Sequence, residues 1–147
     1  MAQSHPRIKQ TTRPMHLTQA LNRGVQLKAD RTALICAGER RTWREFRERV
    51  ARFASSLVAL GLKPNERVAI LADNGSPYFE YHYGVAWAGG VIVPLNTRLS
   101  DQELANILND SGARMLLLGN EYAARQGALR SGVPALNTVI TIGTRAA

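Results

Sequence analysis

Four short, almost continuously apolar runs constrain this chain more than any other feature. They are Arg67 to Ala72, Val91 to Leu95, Arg114 to Leu118 and Thr138 to Ile142, and within them polar and apolar residues do not alternate. Strands that read this way are buried on both faces, which points to a sheet covered by helices on each side. Segments of helical spacing lie between them. Strands and helices in alternation predict βαβ units with right-handed crossovers. The expected fold is α/β, a partial doubly wound, mainly parallel sheet with helices on both faces.

The helices carry their own punctuation. Thr42 with Glu45 three residues on makes a capping box, in which each side chain satisfies an orphan amide of the first turn. Trp43, Phe46, Val50, Phe53, Leu57 and Leu60 follow at spacings of three and four, Gly61 supplies a left-handed end, and Pro64 blocks continuation. Ser76 and Pro77 read as the cap and first residue of a second helix reaching about Ala88. Ser100 with Glu103 opens a third, which turns Leu104, Ile107 and Leu108 inward and ends at Gly112. A weaker helix spans Glu121 to Arg130. Ahead of these, Leu17, Ala20, Leu21 and Val25 form an opening helical face, Thr32 to Ala37 reads as a strand, and Ala37 to Arg41 as a turn.

The net charge of +8 suggests nucleic acid until it is divided along the chain. Residues 1–67 hold fourteen basic and five acidic side chains, so the excess belongs to the front half. There it splits into a leader, basic and free of acids before Asp30, and a cluster at Arg40, Arg41, Arg44, Arg47, Arg49 and Arg52. Residues 1–15 are expected to be poorly ordered. A transit peptide is the other reading of an Arg-rich, acid-poor start. Glu45 and Glu48 interrupt the cluster, and no aromatic interleaving or recognition-helix pattern accompanies it, so a solvated helix face is expected and no nucleic-acid partner. No apolar run approaches the roughly 20 residues of a membrane span, and a cytoplasmic location is expected. Cys36 cannot form an intrachain disulfide, and with His5, His16 and His82 scattered along the chain it makes no zinc site. Inside a strand without a basic neighbour, it reads as inert core.

Open α/β sheets bind ligands at the carboxyl ends of their strands. Asp73-Asn74-Gly75-Ser76, after the Arg67 run, could hold an anion at a helix N-terminus. Asn74 and Ser76 as simple caps is the favoured reading, because nothing there is cationic and Asp73 repels phosphate. No dinucleotide or P-loop fingerprint occurs, and the only lysines are Lys9, Lys28 and Lys63. A later phosphate site would have to use backbone amides and Arg98, Arg114, Arg125, Arg130 or Arg145. No nucleophile elbow, paired carboxylates or metal cluster appears. Tyr78, Phe79, Tyr81, Tyr83 and Trp87, with His82 among them, read as a core helix on the sheet, and a ring-lined ligand pocket is the alternative.

Two stretches resemble the AMP-forming acyl-CoA synthetases of the class I adenylate-forming, AMP-dependent synthetase/ligase superfamily. One is Thr42-Trp43-Arg44-Glu45-Phe46, its helix, and Gly61-Leu62-Lys63-Pro64-Asn65-Glu66-Arg67-Val68-Ala69. The other runs from Trp87-Ala88-Gly89-Gly90-Val91-Ile92-Val93-Pro94-Leu95-Asn96-Thr97-Arg98-Leu99 through Glu103-Leu104 to Ile107-Leu108-Asn109-Asp110-Ser111-Gly112-Ala113. The Pro-Leu-Asn-x-Arg-Leu wording is similar to fatty-acyl and related carboxylate CoA ligases. The resemblance implies a carboxylic acid substrate, with ATP, Mg²⁺ and CoA as cofactors of the full-length family and none held by this chain. It implies that residues 16–147 are an incomplete N-terminal synthetase/ligase domain, because the family's phosphate loop, nucleotide motifs and catalytic lysine have no counterpart here. No catalytic, cofactor-binding or metal residue is carried over. Asn96 and Arg98 match motif positions, and a structural role at a strand end is expected for them. The chain is expected to be inactive alone, with the C-terminal part supplied as a separate polypeptide as one arrangement. The alternative is a non-catalytic α/β binding or interaction module.

Overall fold

The computed structural model describes residues 17–143, so the leader reading for 1–15 and Arg145 lie outside the described residues. The elements run α1 (Thr18–Lys28), β1 (Thr32–Cys36), β2 (Glu39–Thr42), α2 (Trp43–Ala59), β3 (Arg67–Leu71), α3 (Ser76–Trp87), β4 (Val91–Pro94), α4 (Asp101–Ser111) and β5 (Met115–Gly119). A 3₁₀ segment (Asn120–Arg125), α5 (Gln126–Gly132) and β6 (Thr138–Ile142) complete them. All four apolar runs are strands of one parallel sheet in the order β4-β3-β5-β6.

Side-chain alternation divides this sheet between two cores. Val68 and Ile70 of β3, with Met115 and Leu117 of β5, meet Leu57 of α2 and Tyr81 and Val85 of α3 on one face. Ala69, Leu71, Leu116 and Leu118 point the other way, onto Leu104 and Leu108 of α4 and Leu129 of α5. Every residue of β5 is buried, which explains its lack of polar alternation. A smaller cluster of Leu21, Phe46 and Val50 fixes α1 and the front of α2.

Both capping boxes form. The Thr42 amide donates to Glu45 Oε2 at 2.8 Å and the Glu45 amide to Thr42 Oγ1 at 3.2 Å, and Ser100 with Glu103 repeats the pattern. Hydrogen bonds from the Thr42 and Ser100 amides hold the Glu45 and Glu103 carboxyls below the ordinary carboxylate range. A depressed carboxyl contributes stability above its unfolded pKa and loses it as pH falls through the folded value, so both boxes weaken in acid. Thr42→Ala is expected to cost about 1 kcal/mol in urea unfolding, and to move the Glu45 titration seen by NMR back towards its ordinary value.

Four local readings need correction. Ala37 to Arg41 is not simply a turn: Ala37 and Gly38, both at positive φ, turn the chain into β2, which pairs antiparallel with β1. This hairpin stands apart from the parallel sheet. Ser76 is the first residue of α3 rather than its cap; Gly75 is the cap, and no side chain caps that end. Leu60 and Ile107 are exposed, and Ala54 and Ala105 take their places in the core. The weak final helix begins as the 3₁₀ segment and becomes α-helical only at Gln126.

The Arg cluster is less solvated than expected. Arg40 and Arg41 lie on β2. On α2, Arg44 pairs with Asp30 at 3.2 Å, Arg47 donates to Asn22 Oδ1 at 3.0 Å and covers the Trp87 ring, and Arg49 forks onto buried Glu80 of α3. No helix among the described residues is long and apolar enough to cross a membrane.

Candidate functional site

Strand order places the crevice of this sheet. From β3 the chain crosses to β4 through α3 on one face, and from β5 it crosses to β6 through α5 on the other. Adjacent strands whose connections leave to opposite faces open a gap at their carboxyl ends, where α/β sheets take ligands. Here those ends are Asp73 and Asn74 after β3 and Asn120 to Tyr122 after β5.

The gap is bridged by the chain's own groups. The Tyr122 hydroxyl donates to Asp73 Oδ1 at 2.6 Å, and the Asp73 amide donates to Glu121 Oε1 at 3.1 Å. That bond to Asp73 raises the Tyr122 phenol above its ordinary value, as a hydrogen bond donated to a carboxylate should. Two carboxylates face the crevice, so its field disfavours phosphate. Gly119 lets the Glu121 carboxylate lie close over the strand end, where an added Cβ would push that side chain aside.

Asn96 and Arg98 occupy the carboxyl end of β4. Asn96 Oδ1 accepts from the Arg98 amide at 3.0 Å and its carbonyl from the Leu99 amide at 3.2 Å, an Asx-type turn that shapes the loop into α4. The same loop is held from below by Arg125, which donates to Asp101 Oδ1 at 2.5 Å and to the Leu99 carbonyl at 2.6 Å. Of the other arginines considered for an anion, Arg114 lies at the opposite end of the sheet, 3.7 Å from Glu66, and Arg130 is exposed on α5. Arg98 is therefore the one described arginine of that set that stands uncommitted at the carboxyl edge. Sequence reasoning missed Tyr122, Glu121 and Glu80, whose partners are distant in the chain.

The aromatic run of α3 serves two purposes. Tyr81 is fully buried on the sheet; its hydroxyl donates to the Val68 carbonyl and accepts from the Val93 amide, both at 2.7 Å. Those are the two groups that the parallel register of β3 and β4 sets opposite each other. Burial pushes the Tyr81 phenol far above its ordinary range. Tyr83 meets Phe46 edge to face at 5.5 Å, and Trp87 joins the α1–α2 cluster. Tyr78, Phe79 and His82, joined by Tyr83, line an open hollow of about 470 Å³ with Leu17 and Asn74. The core reading holds for Tyr81, and the ring-lined hollow exists beside it. Cys36 is half-buried on β1. Among the described residues no group of His, Cys, Asp or Glu could hold a metal.

A parallel α/β sheet with these connections and strand-end turns is an open, doubly wound domain whose ligand crevice lies where the strand order switches. The AMP-binding enzyme family matches residues 21–145, and the chain belongs to that family. It is 40% identical over 102 residues to the peroxisomal trans-cinnamate:CoA ligase of Petunia hybrida, covering 69% of this chain and 18% of that protein. Its fold is similar to the N-terminal domain of FACL13 from Mycobacterium tuberculosis, with a TM-score of 0.82, 28% identity, and coverage of 86% of this chain and 34% of that one. ATP-bound MatB from Rhodopseudomonas palustris superposes with a TM-score of 0.77 and 26% identity over 87% of this chain and 25% of that one. The chain thus has the fold of the N-terminal domains of acyl-CoA ligases, and spans between 18% and 26% of the length of the curated relatives it matches.

Proposed function

We propose that this chain is the front portion of the large N-terminal domain of an AMP-forming carboxylate–CoA ligase, and that it does not activate a carboxylate by itself. Acyl-adenylate and then thioester formation would belong to the whole enzyme, with a carboxylic acid as substrate; ATP with Mg²⁺ supplies the leaving pyrophosphate, and CoA the accepting thiol. The names of the relatives, among them a trans-cinnamate:CoA ligase and a fatty acid–[acyl-carrier-protein] ligase, support aryl or fatty carboxylates as the class.

One observation carries the second half of the reading. The crevice between β3 and β5 is closed by Asp73, Tyr122 and Glu121, an acidic set that does not fit a triphosphate. Phosphoryl chemistry needs cations to neutralise charge as it develops, and no lysine follows Lys63. The role of these residues is to hold a scaffold: Arg125 fixes the β4–α4 loop, and Tyr122 ties the two strand ends together.

Titration of the chain with Mg·ATP, followed by calorimetry, is expected to give no saturable binding up to about 1 mM, a free energy of about −4 kcal/mol. Stoichiometric binding in the micromolar range would overturn the proposal.

A further inference from the structure

A second surface, remote from the sheet crevice, has a chemistry that the ligase reading does not use. Along α1 and the first turn of α2 runs an open groove of about 740 Å³. Ala20, Leu27 and the Trp43 indole form its apolar part, and Leu27 is 65% exposed. The indole lies so close over Gly24 that a Cβ there would enter the ring, so the backbone of α1 itself is part of the wall. Arg23, Lys28 and Arg31 stand on the rim.

The charge on that rim is uncompensated. Among the described residues Arg41, Arg44, Arg49, Arg114 and Arg125 all have carboxylate partners, whereas Arg23, Lys28 and Arg31 have none. Asp30, the acid nearest to them in sequence, is taken by Arg44. Among the described residues no acid lines the groove, and α1 contains none. The segment preceding α1 carries Arg7, Lys9 and Arg13 and no acid, so its charge does not complement the site.

We propose that this groove is a docking site for an acidic amphipathic helix of a partner protein. From Ala20 to Lys28 the groove follows α1 for about 12 Å, a little over two helical turns, which matches the footprint of an i, i+3, i+4, i+7 apolar face. The apolar floor takes the apolar side chains, and the three cations meet flanking carboxylates. A nucleic acid would use the cations but leave Leu27 and Ala20 unmatched. This inference stands on the groove alone and does not depend on the ligase reading.

The test uses a fluorescein-labelled synthetic helix of about 16 residues, with leucines at that spacing and glutamates elsewhere, titrated with the 147-residue chain and read by anisotropy. Saturable binding is expected, weaker at about 300 mM salt than at about 50 mM. Arg23→Glu with Lys28→Glu is expected to weaken it at least about tenfold, and Leu27→Ser several-fold. All three residues are exposed, and unchanged circular dichroism would show that the variants keep the fold. Equal binding of a control helix bearing lysines in place of the glutamates would overturn the proposal. So would charge reversal without effect, or retention on phosphatidylserine vesicles or duplex DNA while the acidic helix stays unbound.

Discussion

Tyr81→Ala is expected to destabilise the chain by about 4 kcal/mol, the effect of emptying a buried aromatic site against a sheet. A domain of this size has about 5–15 kcal/mol in total, so the variant should lose at least about a quarter of it, read as a lower midpoint in urea titrations. Tyr81→Phe separates the polar contribution. Its ring fills the same volume, but the Val68 carbonyl and the Val93 amide lose their shared hydroxyl. A cost of about 1–2 kcal/mol is expected. If Tyr81→Phe were neutral, β3 and β4 would be closing the rung directly, and the hydroxyl would be dispensable. The wild-type chain should also lose stability in alkali. A buried phenol whose pKa is raised contributes fully while the unfolded phenol is still protonated, below about pH 10, and progressively less above it, because the unfolded state releases its proton first.

The second large effect is at the only described ion pair whose carboxylate is nearly enclosed. Glu80 is 8% exposed, and Arg49 reaches it from α2 through two hydrogen bonds, the Nη2 contact at 3.1 Å. The bond to Glu80 in turn raises the Arg49 pKa. Arg49→Ala leaves a buried carboxylate without its partner, for a cost of about 2–3 kcal/mol; the 38% exposure of the Arg49 side chain keeps this below the value for a fully enclosed pair. Replacing both partners together, Arg49→Met with Glu80→Leu, is expected to be less costly than Arg49→Ala alone, since no charge is stranded. Additive single-variant losses would show that the two residues act independently.

These contacts also mark where sequence reading succeeds and where it stops. The parallel sheet was legible because β3 and β5 are enclosed on both faces, which leaves them almost without polar residues. Both capping boxes were legible because the partners are three residues apart. The strand β2 was not, since Glu39-Arg40-Arg41-Thr42 has no apolar signature and gains strand geometry only by pairing with β1. Its one local signal is the Ala37-Gly38 pair at the turn. At the candidate site, the motif residues Asn96 and Arg98 were placed at a strand end, and Asn96 proves to shape the loop. The bridge from Tyr122 to Asp73 spans 49 residues, and only the strand order brings them together.

The central claim is that the chain supplies an adenylate-forming scaffold without the means to adenylate. Its most direct test is pyrophosphate release from the isolated chain with ATP, Mg²⁺, CoA and a panel of aryl and fatty carboxylates. The account predicts no release above the protein-free background for any acid. Sustained, acid-dependent release approaching about 1 per second, the lower end of ordinary enzyme turnover, and retained through repurification, would contradict it.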